Sequence, residues 1–186
     1  MLVRPATITF RTRTGLDLFV RPLCLEDAPY LTDLFAHLGP ESRYLRFNQA
    51  LSNPDPALVQ AEARRLARVD PEEGAAWLAF ADLPGEPHAP LAGARFIRTG
   101  PGVAEASIAV RDDAQRQGIG AVMLDLLVRE ARRAGIHTLT AVIQYSNNGI
   151  WRLLKQSGLP YRRGGAGTWV EIFVDIAARP DDPTPI

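Results

Sequence analysis

The chain has one cysteine, Cys24, and one lysine, Lys155, among 186 residues. A lone cysteine excludes an internal disulfide and a cysteine metal cluster. The three histidines, His37, His88 and His137, are scattered without ligand spacing, so no metal is expected. No stretch of about 18 uncharged apolar residues occurs, so no membrane-spanning helix and no membrane partner are expected. The first residues, Met1 to Pro5, lack the apolar core of a signal peptide, and a cytoplasmic location is the expectation. Neither sign of charge dominates. The 21 basic and 21 acidic residues cancel, which argues against an extended nucleic-acid footprint and a nucleic-acid partner.

Two phosphate-binding signatures are also missing. Gly118-Ile119-Gly120 is followed by Ala121, Val122 and Met123, so the third small residue of a dinucleotide fingerprint is absent, as is any G-x-x-x-x-G-K-[ST]. What is present is Gln115-x-x-Gly118-x-Gly120, between the apolar run Ala106 to Val110 and a helical pattern from Ala121 to Ala134 closed by Gly135. A strand, a glycine-containing polar loop and a helix N-terminus form a phosphate-binding device. The first helical amides lack intrahelical partners, the macrodipole adds positive charge there, and glycine lets an anion approach the backbone.

The rest of the chain, 46% apolar, reads as one domain over residues 1–178 with a mobile, proline-rich tail from 179 to 186. Ile8 to Phe10 and Leu16 to Val20 are strands around Thr14-Gly15. A helix starts at Glu26-Asp27, runs to about Leu38 and stops at Gly39-Pro40. Ser42 caps a short turn through Phe47, and Ala57 to Val69 is a helix. Strands follow at Ala75 to Ala81, Leu91 to Arg98 and Ala104 to Val110. In the helix after the loop, Ile119, Val122, Met123, Leu126, Leu127, Ala131 and Ala134 share one face, with Asp125, Arg129, Arg132 and Arg133 opposite. Thr138 to Val142 is a strand, Asn147 to Ser157 a helix closed by Gly158, and Tyr161 to Arg163 pairs with Thr168 to Ile176. The fold class is α/β with a mixed sheet, not a doubly wound dinucleotide fold.

Gln115-x-x-Gly118-x-Gly120 resembles the pyrophosphate loop [QR]-x-x-G-x-[GA] of the GNAT family of acetyl-CoA-dependent N-acetyltransferases. Asn147, Ile150, Leu153, Gly158 and Leu159 match that family's later segment N-x-x-[AM]-x-x-[LF]-…-G-[FL]. The resemblance covers most of the chain in element order, from Leu18 to Val174. It implies a mixed, mainly antiparallel sheet of about seven strands flanked by helices, with acetyl-CoA as co-substrate and no metal. It implies that the main chain of Ile108, Ala109 and Val110 pairs with the pantetheine arm. Amides from Gln115, Arg116, Gln117, Gly118, Ile119 and Gly120 would hold the pyrophosphate, with Arg116 adding a charged contact. Asn147 would start its helix and touch the cofactor arm, and capping alone is the plainer alternative.

Glu105, at the start of the strand that enters the site, is the candidate base. Its neighbours Ala104, Ala106, Ile108 and Val110 lead one to expect partial burial and a raised pKa. Ala-Glu, an apolar strand and Arg-Asp-Asp resemble bacterial protein-lysine acetyltransferases, in which this Glu is the base. Gly39-Pro40-Glu41-Ser42-Arg43-Tyr44-Leu45-Arg46-Phe47 resembles their [LS]-S-P-E-S-x-Y-x-R-F segment, which puts Arg46 and Phe47 at the acceptor entrance. Simple packing and a surface pair would account for them equally well. Many members of the family place a proton-donating Tyr where this chain has Leu154. An added regulatory domain, common in that subgroup, is not expected here. Arg95 and Arg98 read as a solvated strand face or as a preference for an acidic acceptor. The resulting expectation is N-acetyl transfer to an amine acceptor, protein lysine or a small molecule, by a monomer or homodimer. A non-catalytic acyl-CoA-binding module is the alternative.

Overall fold

A computed structural model describes residues 7–177, apart from positions 13 and 166. The tail expected to be mobile lies outside the described residues. Eight strands form one sheet in the order β1 (Ile8–Arg11), β2 (Asp17–Pro22), β3 (Gly74–Leu83), β4 (Glu86–Gly100), β5 (Val103–Val110), β6 (Thr138–Gln144), β8 (Trp169–Asp175), β7 (Tyr161–Gly164). The sheet has one strand more than the count of about seven that the family resemblance implied, and its eight strands fall where the residue pattern placed them. Five helices flank the sheet: α1 (Ala28–Ala36), α2 (Pro40–Phe47), α3 (Pro56–Ala67), α4 (Ile119–Arg133) and α5 (Asn148–Ser157).

All neighbouring strands are antiparallel except β5 and β6, which α4 joins as the crossover that a parallel pair requires. The apolar stripe of α4 forms the centre of the main core. Ile119, Met123, Leu126, Leu127 and Ala131 are buried against Ala104, Leu139 and Ile143. Gly135, at φ 76, closes the helix, and the amides of Gly135 and Ile136 bond to the carbonyls of Arg132 and Ala131, the left-handed glycine cap anticipated from sequence.

Gly39-Pro40 differs from expectation. It ends the region of α1, but Pro40 also occupies the first turn of α2, with Gly39 rather than Ser42 as the cap. Proline has no amide to lose there and its φ is already helical. Helix α2 is thereby brought directly after α1 and across the sheet.

The entry to α1 is fixed by a buried ion pair. Asp27 accepts two hydrogen bonds from the Arg21 guanidinium, at 2.6 and 2.8 Å, and others from the amide and thiol of Cys24 at 2.9 and 3.1 Å. Burial alone would raise the Asp27 pKa, but these hydrogen bonds outweigh it and hold the carboxyl below its ordinary range. Asp27→Ala is expected to cost about 2–3 kcal/mol in urea unfolding at neutral pH, since a charged, hydrogen-bonded group would be left alone. Because the folded pKa is depressed, the contribution is present above the unfolded value near pH ~3.9 and fades as pH falls through the folded one. The gap between wild type and variant should therefore close in acid. An equal gap at pH 7 and at acid pH would contradict the assignment.

Candidate functional site

Strands β5 and β6 pair over only three positions, Val103 with Thr138, Ala104 with Leu139 and Glu105 with Thr140. Beyond Glu105, β5 stays bonded to β4 as far as Val110 opposite Ala92. Beyond Thr140, β6 stays bonded to β8 as far as Gln144 opposite Trp169. The sheet therefore splits, and the inner main-chain edges from Ala106 to Val110 and from Ala141 to Gln144 have no strand partner among the described residues. An edge of this kind can accept an extended, amide-containing ligand as an added strand. The expected residues Ile108, Ala109 and Val110 lie on it. Ile108 and Val110 pack on the main core, and Ala109 faces the opposite side of the sheet.

The loop from Gln115 to Gly120 stands at the open end of this cleft. Gln115 donates to the carbonyl of Val110 at 3.2 Å and to Asp112 at 3.0 Å, which ties the loop to the end of β5. Arg116 (φ 62) and Gly118 (φ 90) both adopt left-handed backbone. Such alternation turns successive amides toward one concave side. Gly118 is the N-cap of α4 and offers no side-chain cap, so the first helical amides stay available for an anion. A Cβ built on Gly118 would meet nothing within 4 Å. One on Gly120 would only graze Leu153 and Val110, at 4.0 Å each. The loop surface is thus bare main chain with open space before it, a geometry that fits a pyrophosphate.

What holds the loop is Arg111, whose side chain is 2% exposed. Its guanidinium bonds both oxygens of Glu86, at 2.8 and 3.2 Å, and both oxygens of Asp113, at 2.8 and 2.9 Å. Burial opposes the charge, but these bonds more than compensate and raise the Arg111 pKa. The arginine in turn depresses both carboxyls. Sequence reasoning used Arg111-Asp112-Asp113 only as a family signature and missed this anchor, because Glu86 is distant in the chain.

Asn147 caps α5 through its side-chain oxygen, which accepts the Ile150 amide at 3.2 Å. The capping role is thus present, and it leaves the Asn147 amide nitrogen for another partner. Leu154 is buried among the core residues, so the position expected for a proton donor faces inward. Glu105 departs from expectation: it is exposed, not half-buried. Alternate residues of β5 face opposite sides, and the apolar neighbours Ala104, Ala106, Ile108 and Val110 bury the side that Glu105 does not share.

Helix α2 straddles the split on that other side. Arg46 donates to Ser107 Oγ of β5 at 3.0 Å, Asn48 reaches the Val142 carbonyl of β6 at 3.5 Å, and Tyr44 meets the Trp169 ring edge-on. Buried amide atoms of Asn48 (Oδ1) and Gln144 (Nε2) have no partner among the described residues; both border the β6 side of the cleft and escaped sequence reading. Beneath α1, α2 and α3 lies a cavity of about 580 Å³, whose lining includes Phe35, Arg46, Phe47, Trp77, Arg95 and Ser107. Arg46 and Phe47 therefore do line a chamber that meets β5 at Ser107 and Ala109. Burial and the neighbouring Arg95 push the Arg46 pKa down to about 10, partly offset by Glu105 and Glu62. Arg95 is half-buried toward the same chamber, while Arg98 is exposed.

The scattered histidines gave no reason to expect a ligand cluster, yet Asp33, His37 and Glu86 offer ligand atoms within 4.8 Å of one another. Glu86 is committed to Arg111, and the cluster is left as a surface feature. Among the described residues no helix is long and apolar enough to cross a membrane.

Residues 33–159 match the model of the Acetyltransferase (GNAT) family, and the chain belongs to that family. It is similar to the Acetyltransferase Pat of Mycolicibacterium smegmatis, with 26% identity over 180 residues that make up 96% of this chain and 51% of that protein. The chain spans about half the length of that relative. In fold it resembles the GNAT domain of S. lividans PAT, with TM-score 0.77, 24% identity, and coverage of 91% of this chain and 96% of that one. It also resembles yncA, a putative acetyltransferase from Salmonella typhimurium solved with its cofactor acetyl-CoA, with TM-score 0.59, 21% identity, and coverage of 88% and 96%.

Two substitutions probe this geometry. Gly120→Val sets a branched side chain before the loop at a helical glycine where an added Cβ makes only van der Waals contact. CoA affinity by calorimetry should fall by tenfold or more, about 1.4 kcal/mol, with no loss of thermal stability. Gly118→Val is the poorer probe because its backbone is left-handed. Unchanged CoA affinity in Gly120→Val would remove the loop from the binding site. Leu154→Tyr would overpack the core and is expected to cost about 1–3 kcal/mol in denaturant unfolding; a variant as stable as wild type would show that α5 is free to turn this position toward the cleft.

Proposed function

We propose that the chain transfers an acetyl group from acetyl-CoA to a primary amine, of a protein lysine or a small molecule, by direct attack in a ternary complex. The observation that carries this reading is the parting of β5 and β6 in front of the N-terminus of α4. The co-substrate's pyrophosphate would rest on the amides of Gln115 to Gly120, with Arg116 as a charged partner. Its pantetheine arm would pair with the free edge at Ile108, Ala109 and Val110, and the Asn147 amide nitrogen would contact it from α5. A main-chain N–H near Val110 would polarise the thioester carbonyl.

The amine lone pair attacks the carbonyl carbon, the C–N bond forms and the C–S bond breaks. Glu105, at the last paired position before the split, accepts the substrate ammonium's proton before attack, directly or through water, and passes it to solvent; the second nitrogen proton leaves to water as the tetrahedral adduct collapses to the neutral amide. The departing thiolate takes a proton from water, since Leu154 offers none. No metal enters these steps. Arg46 and Phe47 would border the acceptor. The buried Leu154 also favours a second reading, a non-catalytic acyl-CoA-binding module; tight CoA binding without turnover on any amine would support it.

Glu105→Gln keeps shape and hydrogen bonding but cannot take a proton. General base catalysis contributes about 10²–10⁴-fold, so kcat/KM near pH 7 should fall at least about a hundredfold while acetyl-CoA affinity holds. Raising the pH should restore part of the rate, because free amine then becomes available without a base. A near-parental rate for the variant across that pH range would exclude Glu105 as the base and leave proximity as the catalytic device.

A further inference from the structure

We propose that the acceptor is a small amine carrying a carboxylate on an apolar body, for which an apolar α-amino acid is the simplest case. The inference rests on the acetyl-transfer reading and names its acceptor. It starts from the cavity beneath α1, α2 and α3. At about 580 Å³ it falls within the usual range for small-molecule sites, roughly 300–1,000 Å³. Its walls are apolar, with Leu31, Leu34, Phe35 and Trp77 among them, and Leu58 stands exposed at its rim.

Into this apolar chamber the fold sends two guanidinium groups. Arg46 has one hydrogen bond, to the neutral Ser107 hydroxyl, and neither Arg46 nor Arg95 has an ion-pair partner among the described residues. The acid that lines the chamber with them, Glu62, is already bonded through both oxygens to Arg65, at 2.6 and 2.7 Å. The two arginines also repel one another across a poorly solvated space. Like charges held partly out of water with no ion-pair partner are unfavourable, and a carboxylate fits a guanidinium fork.

The second feature is Glu105. It lies two residues before Ser107 on the same face of β5, and Ser107 is paired with Arg95 across the ladder and accepts from Arg46, so a negative group and a positive pair lie close together where the chamber meets β5. A zwitterion matches that arrangement, with its ammonium at Glu105, its carboxylate at Arg46 and Arg95, and its apolar remainder in the chamber. A protein lysine matches it less well, for it would bring a cation and polar main chain to two cations and apolar walls.

The test compares, with acetyl-CoA and the full chain, free leucine, phenylalanine and tryptophan with their methyl esters and with a lysine-containing peptide. The readouts are released thiol and product mass. Free acids should exceed their esters in kcat/KM by about 10–100-fold, the range of one charged hydrogen-bonded contact, and Arg95→Met should bring that ratio toward one. A parallel arm with glutaryl-CoA and a neutral amine asks whether the carboxylate belongs to the acyl donor; preference for that donor would overturn the assignment to the acceptor. Equal use of acids and esters, or turnover of the peptide alone, would overturn the inference while leaving acetyl transfer intact. Calorimetry with CoA present adds a readout independent of turnover: N-acetyl-phenylalanine should bind at least about tenfold more tightly than its methyl ester. No preference there refutes the inference. A clear preference with no turnover of any amine would keep the carboxylate site and refute the enzymatic reading.

Discussion

The β5–β6 ladder can run for only three residue pairs, and the remainder of the site is arranged around that limit. On one face of the sheet, α4 packs its apolar stripe against β4 and β5 and brings its N-terminus to the end of β5. On the other face, α2 reaches over the gap, with Arg46 tied to β5 and Asn48 to β6. Had the two strands stayed paired, each main-chain group between Ala106 and Val110 would already be satisfied, and the edge would have nothing to offer a ligand. The cleft thus reflects hydrogen bonds that the fold leaves unmade at a place where another amide-bearing chain can make them.

Electrostatics divides the two sides of this cleft. Behind the loop, Arg111 is fully paired, with Glu86 and Asp113 each held through both oxygens. That network closes on itself and acts as a rigid anchor for the turn that follows. Under α2, Arg46 and Arg95 are in the opposite condition, partly desolvated and without an ion-paired carboxylate among the described residues. The same residue type serves in one place as a structural tie and in the other as an unfilled valence, and only the position of the nearest acids separates the two.

Local pattern made much of the fold legible. The stripe from Ile119 to Ala134, with Gly135 after it, could be read as a buried helix and its stop, because helical spacing and glycine capping depend on neighbouring residues alone. The loop was legible for the same reason. Less legible was whatever depends on distant segments. Glu105 reads as half-buried from its neighbours, yet β-strand alternation puts those neighbours on the other face, and its own side chain stays exposed. The cavity, the Arg111 anchor and the inward turn of Leu154 are likewise products of tertiary packing. Gly39-Pro40 was ambiguous in principle, since one dipeptide can end a helix and begin the next.

The loop from Gln115 to Gly120 faces the cleft mainly with backbone, while the chamber under α1, α2 and α3 is walled by side chains. Mutation acts on these two surfaces unequally. Most substitutions leave an amide where it was, so the donor half of the cleft is tolerant wherever the glycines and the turn survive. In the chamber, each exchange of a wall residue reshapes the volume or the charge offered to the second substrate. Under the proposed function, a lineage carrying this fold could drift among acceptors through α1, α2 and α3 while its use of the donor stayed fixed. Likeness between relatives in the loop would then say little about what each of them acetylates.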